Sequence, residues 1–183
     1  MKKIIVSVLG HDRPGIISAV SNVLFRSGCN IEDVSQTILQ TEFAGVFIAS
    51  IPDSMTADDL QSQLVEKLGP MGLSVLFRTM EPKGVWQAPP SDPFVITTLG
   101  LDRPGLVAGV TELLARYGIN ISNLKAVFRG GDNPSANIMI YEVDIPAGLD
   151  QNHFREALFA RCKELGLDVS LQHRDVFEAI HRV

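Results

Sequence analysis

The sequence is short of cysteine, of clustered positive charge and of long apolar runs. It has two cysteines, Cys29 and Cys162, in 183 residues. They stand at unrelated positions among apolar helical neighbours, so they read as small core residues in a reducing compartment rather than as a disulfide framework. Net charge is −5 and no run of lysine or arginine occurs. A grip on nucleic acid needs clustered cations, so direct DNA or RNA binding is not expected. The apolar stretch at the N-terminus ends at Leu9, too short for a signal-peptide core or a membrane span. The expectation is a cytoplasmic protein with no membrane contact. Catalytic signatures are missing as well: no nucleophile elbow, no phosphate-cradling glycine loop and no spaced Cys/His set. His173 and His181, with Asp175 and Glu178 between them, make at best a weak metal site. The neighbouring acids Glu32-Asp33 and Asp58-Asp59 do not converge on one atom and read as solvated or capping. The expectation is therefore no catalysis, no metal and no cofactor.

What is there is an ordinary globular composition, 45% hydrophobic and 20% charged, and a segment that occurs twice. Leu9-Gly10-His11-Asp12-Arg13-Pro14-Gly15-Ile16 returns as Leu99-Gly100-Leu101-Asp102-Arg103-Pro104-Gly105-Leu106. Each copy follows a β-branched run and precedes an amphipathic helical pattern, so it reads as a strand-to-helix turn. Gly10 and Gly100 are expected to take unusual backbone angles, and Gly15 and Gly105 to leave room for a ligand or a neighbouring backbone. Pro14 and Pro104 suit the first helical position. Asp12 and Asp102 are expected to fold back onto backbone N–H groups. The next N–H groups then face outward at the positive end of the helix dipole, which favours a carboxylate or phosphate. The alternative is a well-made turn that binds nothing.

The repeat divides the chain. Residues 1–80 read β-α-β-β-α-β: Ile4–Leu9, a helix with Ile16, Ile17, Val20, Val23 and Leu24 on one face, Val34–Leu39, Phe43–Ile51, a helix after Thr56 with Leu60, Leu64 and Leu68, and Leu73–Phe77. Residues 81–93 carry five prolines or glycines (Pro82, Gly84, Pro89, Pro90, Pro93) and read as a stiff linker, with Trp86 expected against a domain surface. Residues 94–175 repeat the order at an offset of 90, Gly10 falling on Gly100 and Asn30 on Asn120. The offset becomes 94 from Pro52 and Pro146 onward, the difference falling in the hairpin Arg129–Pro134. Leu124, Ala126 and Phe128, then Ala136, Ile138 and Ile140, are expected to line one buried hairpin face. The tail, 176–183, has no counterpart and is not placed.

This order implies an α+β chain of two ferredoxin-like βαββαβ domains in tandem, each with four mixed strands and two helices on one face. Asp-Arg-Pro-Gly after a strand, a helix stopped by Gly28 or Gly118, and Asn-Ile opening the next strand resemble the ACT domain, a small regulatory module that binds amino acids. Both halves match, so the chain resembles tandem ACT-domain proteins of the glycine cleavage system transcriptional repressor family. The resemblance implies ligand-binding residues at Asp12, Arg13, Pro14, Gly15, Asn30 and Ile31, and at Asp102, Arg103, Pro104, Gly105, Asn120 and Ile121. Arg13 and Arg103 either clamp a carboxylate or are solvated or paired with a neighbouring acid. His11 stands where Leu101 stands, so the two turns are not equivalent. The function implied is a non-enzymatic regulator that takes a small, glycine- or serine-like amino acid and acts on a protein partner, with any transcriptional effect indirect. The alternative is a ligand-free module that pairs through its sheets. An uncovered sheet face argues for a homodimer, or for two domains covering each other within one chain.

Overall fold

The computed structural model describes residues 2–80, 89–128 and 137–181. Trp86, the linker around it and the hairpin loop Arg129–Pro134 lie outside the described residues. The chain forms two compact units, Met1–Trp86 and Gln87–Val183.

In the first unit the strands are β1 (Lys2–His11), β2 (Asn30–Leu39), β3 (Glu42–Ile51) and β4 (Ser74–Met80), and the helices are α1 (Ile16–Arg26) and α2 (Ala57–Leu68). The sheet order is β2-β3-β1-β4. The expectation of mixed strands is corrected: all three ladders are antiparallel. The crossover through α1 does return the chain parallel to β1, but β3 inserts between β1 and β2, so no parallel neighbours remain. Alternation along β1 puts Ile4, Val6 and Val8 on the helix side, where they meet Ile16, Val20 and Leu24 of α1 and Leu60, Leu64 and Leu68 of α2. Burying each such side chain contributes roughly 1.5–3 kcal/mol.

The second unit repeats this with β5 (Ser91–Gly100), α3 (Leu106–Arg116), β6 (Asn120–Phe128), β7 (Asn137–Pro146), α4 (Gln151–Glu164) and β8 (Leu167–His173), in sheet order β6-β7-β5-β8, again antiparallel throughout. Strand β5 begins at Ser91 and takes in Pro93, inside the stretch expected to be irregular. Pro93 faces Asp144 of β7, while pairing with β8 starts only at Phe94, so its missing N–H interrupts no ladder on that side. The buried face of β7 is also corrected. Met139, Tyr141 and Val143 point into the core, whereas Ile138 and Ile140 lie on the opposite face. The outer alternation is apolar only at Ile138 and Ile140 and continues through Glu142 and Asp144, so the whole strand, unlike its first half, marks Met139, Tyr141, Val143 and Ile145 as the inner set.

Helix α5 (Arg174–His181) starts two residues before the unplaced tail, takes in its described residues and lies against β5 and β8. Arg174 reaches Glu142 and Asp144, each at 3.8 Å, on the sheet face that α3 and α4 leave open. Val95 on that face is 2% exposed. The corresponding face of the first unit keeps Leu9, Val46 and Leu76 exposed around a shallow trough of about 490 Å³.

Candidate functional site

Helices α1 to α4 pack on the two sheets, and their N-termini fall into two kinds. Helix α2 is capped by Thr56, whose hydroxyl accepts the Asp59 N–H, and α4 by Asp150, which accepts the N–H groups of Asn152 and His153. Helices α1 and α3 start at Gly15 and Gly105 with no side-chain cap and no acidic residue in the first turn. The first ladder bonds run from Ala19 N–H to the Gly15 carbonyl and from Gly109 N–H to the Gly105 carbonyl. The N–H groups of Ile16, Ile17 and Ser18, and of Leu106, Val107 and Ala108, therefore precede the ladder at the positive end of each helix dipole. These two uncapped ends are those of the repeated segment.

Gly15 and Gly105 leave the open space expected of them, but the unusual angle expected of Gly10 and Gly100 falls on Gly15 and Gly105 as well. Gly15 and Gly105 hold φ of 99° and 93°, where a side chain is strained, and face open space. Gly10 and Gly100 have no such angle; they are sites of close approach, where a Cβ would lie 2.9 Å from the Gly72 carbonyl oxygen and 3.0 Å from that of Gly166. Pro14 and Pro104 precede the N-caps and do not open the helices, because glycine in the left-handed region already makes the turn. The aspartates also depart from expectation. Asp12 donates its own N–H to the Thr41 carbonyl at 2.7 Å, and Asp102 accepts from Asn137 Nδ2 at 2.8 Å, so neither carboxylate caps its helix.

Arg13 donates to the carbonyl of Met71, and Arg103 to that of Leu165 at 2.7 Å. Both guanidinium groups thus tie the turn to the loop ahead of the last strand of their unit. His11 Nδ1 lies 3.4 Å from Glu42 Oε1, both exposed. The second turn has a different neighbour, Asn137, which sequence reasoning missed. The signal was present: at the offset of 94, Asn137 replaces Phe43, a polar residue within a buried alternation.

The Asn-Ile pairs lie elsewhere in each unit. Asn30 shares a rung with Ser50 and Lys3, whereas the turn leaves the sheet beyond Gly10, seven rungs away. At about 3.3 Å per residue that separation is roughly 23 Å. Asn120 stands in the same relation to Gly100, on a rung with Asp144 and Pro93. Within one unit, then, the turn residues are brought together and Asn30-Ile31 or Asn120-Ile121 are not brought to them. Asn120 Nδ2 lies 3.4 Å from Asp144 Oδ2.

Neither cysteine is poised for chemistry. Burial pushes the Cys162 thiol up to about 11, against a smaller lowering by Arg161, and burial also raises Cys29. Among the described residues no group of three His, Cys, Asp or Glu side chains could hold a metal ion. No helix among them is long and apolar enough to cross a membrane.

Comparison with known proteins places these units. Residues 2–78 and 92–172 each match the ACT domain. A UPF0237 protein of Methanopyrus kandleri is 39% identical over 90 residues, 49% of this chain and 96% of its own. The glycine cleavage system transcriptional repressor of Escherichia coli is 28% identical over 174 residues, covering 92% of this chain and 88% of its own. Among solved structures, an unknown protein from Galdieria sulphuraria superimposes with a TM-score of 0.76 at 26% identity, covering 94% of this chain and 98% of that one.

Proposed function

The chain belongs to the ACT-domain family, and from that premise we propose that it is a non-enzymatic regulator that binds a small amino acid at its strand–helix turns and acts on a protein partner. The observation that carries this reading is the contrast in capping. Side chains close α2 and α4, while α1 and α3 are left open behind glycines that face free space. An open helix start supplies donors for a carboxylate, and the aspartate of the segment supplies an acceptor for an ammonium group. Similarity to the glycine cleavage system transcriptional repressor supports a ligand the size of glycine or serine. Similarity over 92% of the chain to the Escherichia coli repressor supports a regulatory role. The net charge of −5 disfavours direct contact with DNA, so any effect on transcription runs through the partner. Ligand acts on that partner by binding one arrangement of the protein more tightly than another.

The test is a thermal-shift screen of the twenty amino acids. A ligand at a hundred times its dissociation constant stabilises the folded state by about 2.7 kcal/mol. A shift confined to small amino acids supports the proposal; no shift with any of them removes it. The second reading, a ligand-free pairing module, is favoured by one observation: the open apolar sheet face of the first unit around Leu9, Val46 and Leu76.

A further inference from the structure

The two turns share a backbone and differ in what stands beside them. In the first unit Phe43 occupies the rung opposite Gly10 and is 2% exposed. In the second, Asn137 occupies the rung opposite Gly100 and is 8% exposed. Its Nδ2 is spent on Asp102 of the turn, and its Oδ1 has no hydrogen-bond partner among the described residues. A buried amide oxygen left unpaired is costly, and in a folded protein it calls for an explanation, which a bound donor would supply. The neighbouring exchanges of an apolar side chain for a polar one leave no such orphan: Thr98 and Tyr141, which replace Val8 and Phe47, are bonded to each other. Among the described residues Asn137 is thus the one polar replacement on this inner face with spare capacity, and it sits against the turn that opens α3.

We propose that the second unit holds the amino-acid site of this chain and that Asn137 is its specificity-determining residue. The ligand is a zwitterionic α-amino acid. Asn137 Oδ1 and the Asp102 carboxylate accept from its ammonium group, and the N–H groups at the start of α3 donate to its carboxylate. The turn of the first unit, with a phenylalanine in place of the acceptor, is structural. This assignment rests on the proposed function, and it adds which copy binds and why.

The test is isothermal titration of the full chain with glycine and with serine, and with glycinamide and N-acetylglycine as probes lacking one charge. The expected result is one site per chain for the free amino acids and none for the two blocked probes. Asn137→Leu is expected to weaken binding at least about tenfold, the scale of losing one hydrogen bond to a charged group. Asp102→Asn, which keeps the shape of the pair, is expected to weaken it as well, and Phe43→Leu to leave it unchanged. Full affinity in both Asn137→Leu and Asp102→Asn, with wild-type binding intact, overturns this assignment and leaves the proposed function standing. Two sites per chain also overturns it. Binding of neither glycine nor serine to the wild-type chain overturns this assignment, and the proposed function falls with it only where none of the twenty amino acids shifts the melting temperature.

Discussion

Gly15 and Gly10 make opposite demands, and alanine at each position separates them. Gly15 holds φ of 99° with nothing within 4 Å of where a Cβ would stand, so Gly15→Ala meets only its own backbone. The left-handed conformation costs an L-residue about 1–2 kcal/mol, and the stiffer unfolded chain returns about 0.4–1 kcal/mol. The net loss is about 1 kcal/mol, which for a unit of this size lowers the melting temperature by roughly 4–8 °C. In Gly10→Ala the angle is unstrained, but the new methyl lies 2.9 Å from the Gly72 carbonyl oxygen and 2.9 Å from Leu73 Cδ2. The leucine methyl can rotate away and the carbonyl cannot, so the cost is that of overpacking, about 1–3 kcal/mol. Scanning calorimetry of the full chain reads both, with the transition of the second unit as an internal reference where the two melt separately. The decisive variant carries D-alanine at position 15. It prefers the observed angle, and it is expected to be at least as stable as glycine. An L-alanine protein as stable as the wild type, or a D-alanine protein no better than the L-form, would refute the assignment of strain to Gly15.

Three further outcomes follow from the same geometry. The Cys162 thiol, raised by burial from 9.0 to about 11, favours the fold while neutral, so its contribution is whole below pH 9 and is lost as pH rises through 11. Urea melts across that window are expected to show a decline of up to about 3 kcal/mol that Cys162→Ala lacks. Arg103→Gln and Arg13→Gln remove the bonds to the Leu165 and Met71 carbonyls and are each expected to destabilise their own unit by about 1 kcal/mol in chemical denaturation. Arg174→Ala frees Glu142 and Asp144, with a loss of up to about 1 kcal/mol that shrinks in high salt; an undiminished loss at high salt would speak against an ionic role.

The element order and the doubling of the fold were legible because each unit changes period cleanly, from β-branched runs to the stripes Ile16–Leu24 and Leu106–Leu114. The repeat offset then tied one half to the other. Strand pairing was less legible, since the insertion of β3 between β1 and β2 is a tertiary choice that local pattern does not state. In β7 the inner face was legible once the strand was read past Ile140, because Glu142 and Asp144 continue the Ile138–Ile140 alternation while Met139, Tyr141, Val143 and Ile145 stay apolar. Sequence located the turn and the open space at Gly15 and Gly105, but it gave the unusual angle to Gly10 and Gly100, which instead make close backbone contacts. A positive φ and a close backbone contact both call for glycine, and only the folded backbone tells them apart. The separation of Asn30 from the turn by seven rungs could not be read either, because the helix between them carries the chain back along the sheet. Asn137 was within reach: the 94-residue offset sets it against Phe43, and a polar residue in that rung is the anomaly to follow.

The central claim, that a small amino acid binds at an open helix start, is tested most directly by titrating glycine into the ¹⁵N-labelled full chain and following its backbone amides. The account predicts saturable shifts at Leu106, Val107 and Ala108, with the amides of the side-chain-capped starts of α2 and α4 unmoved. Saturation with no change at those three amides, or with changes confined to the open sheet face around Leu9, Val46 and Leu76, would contradict it.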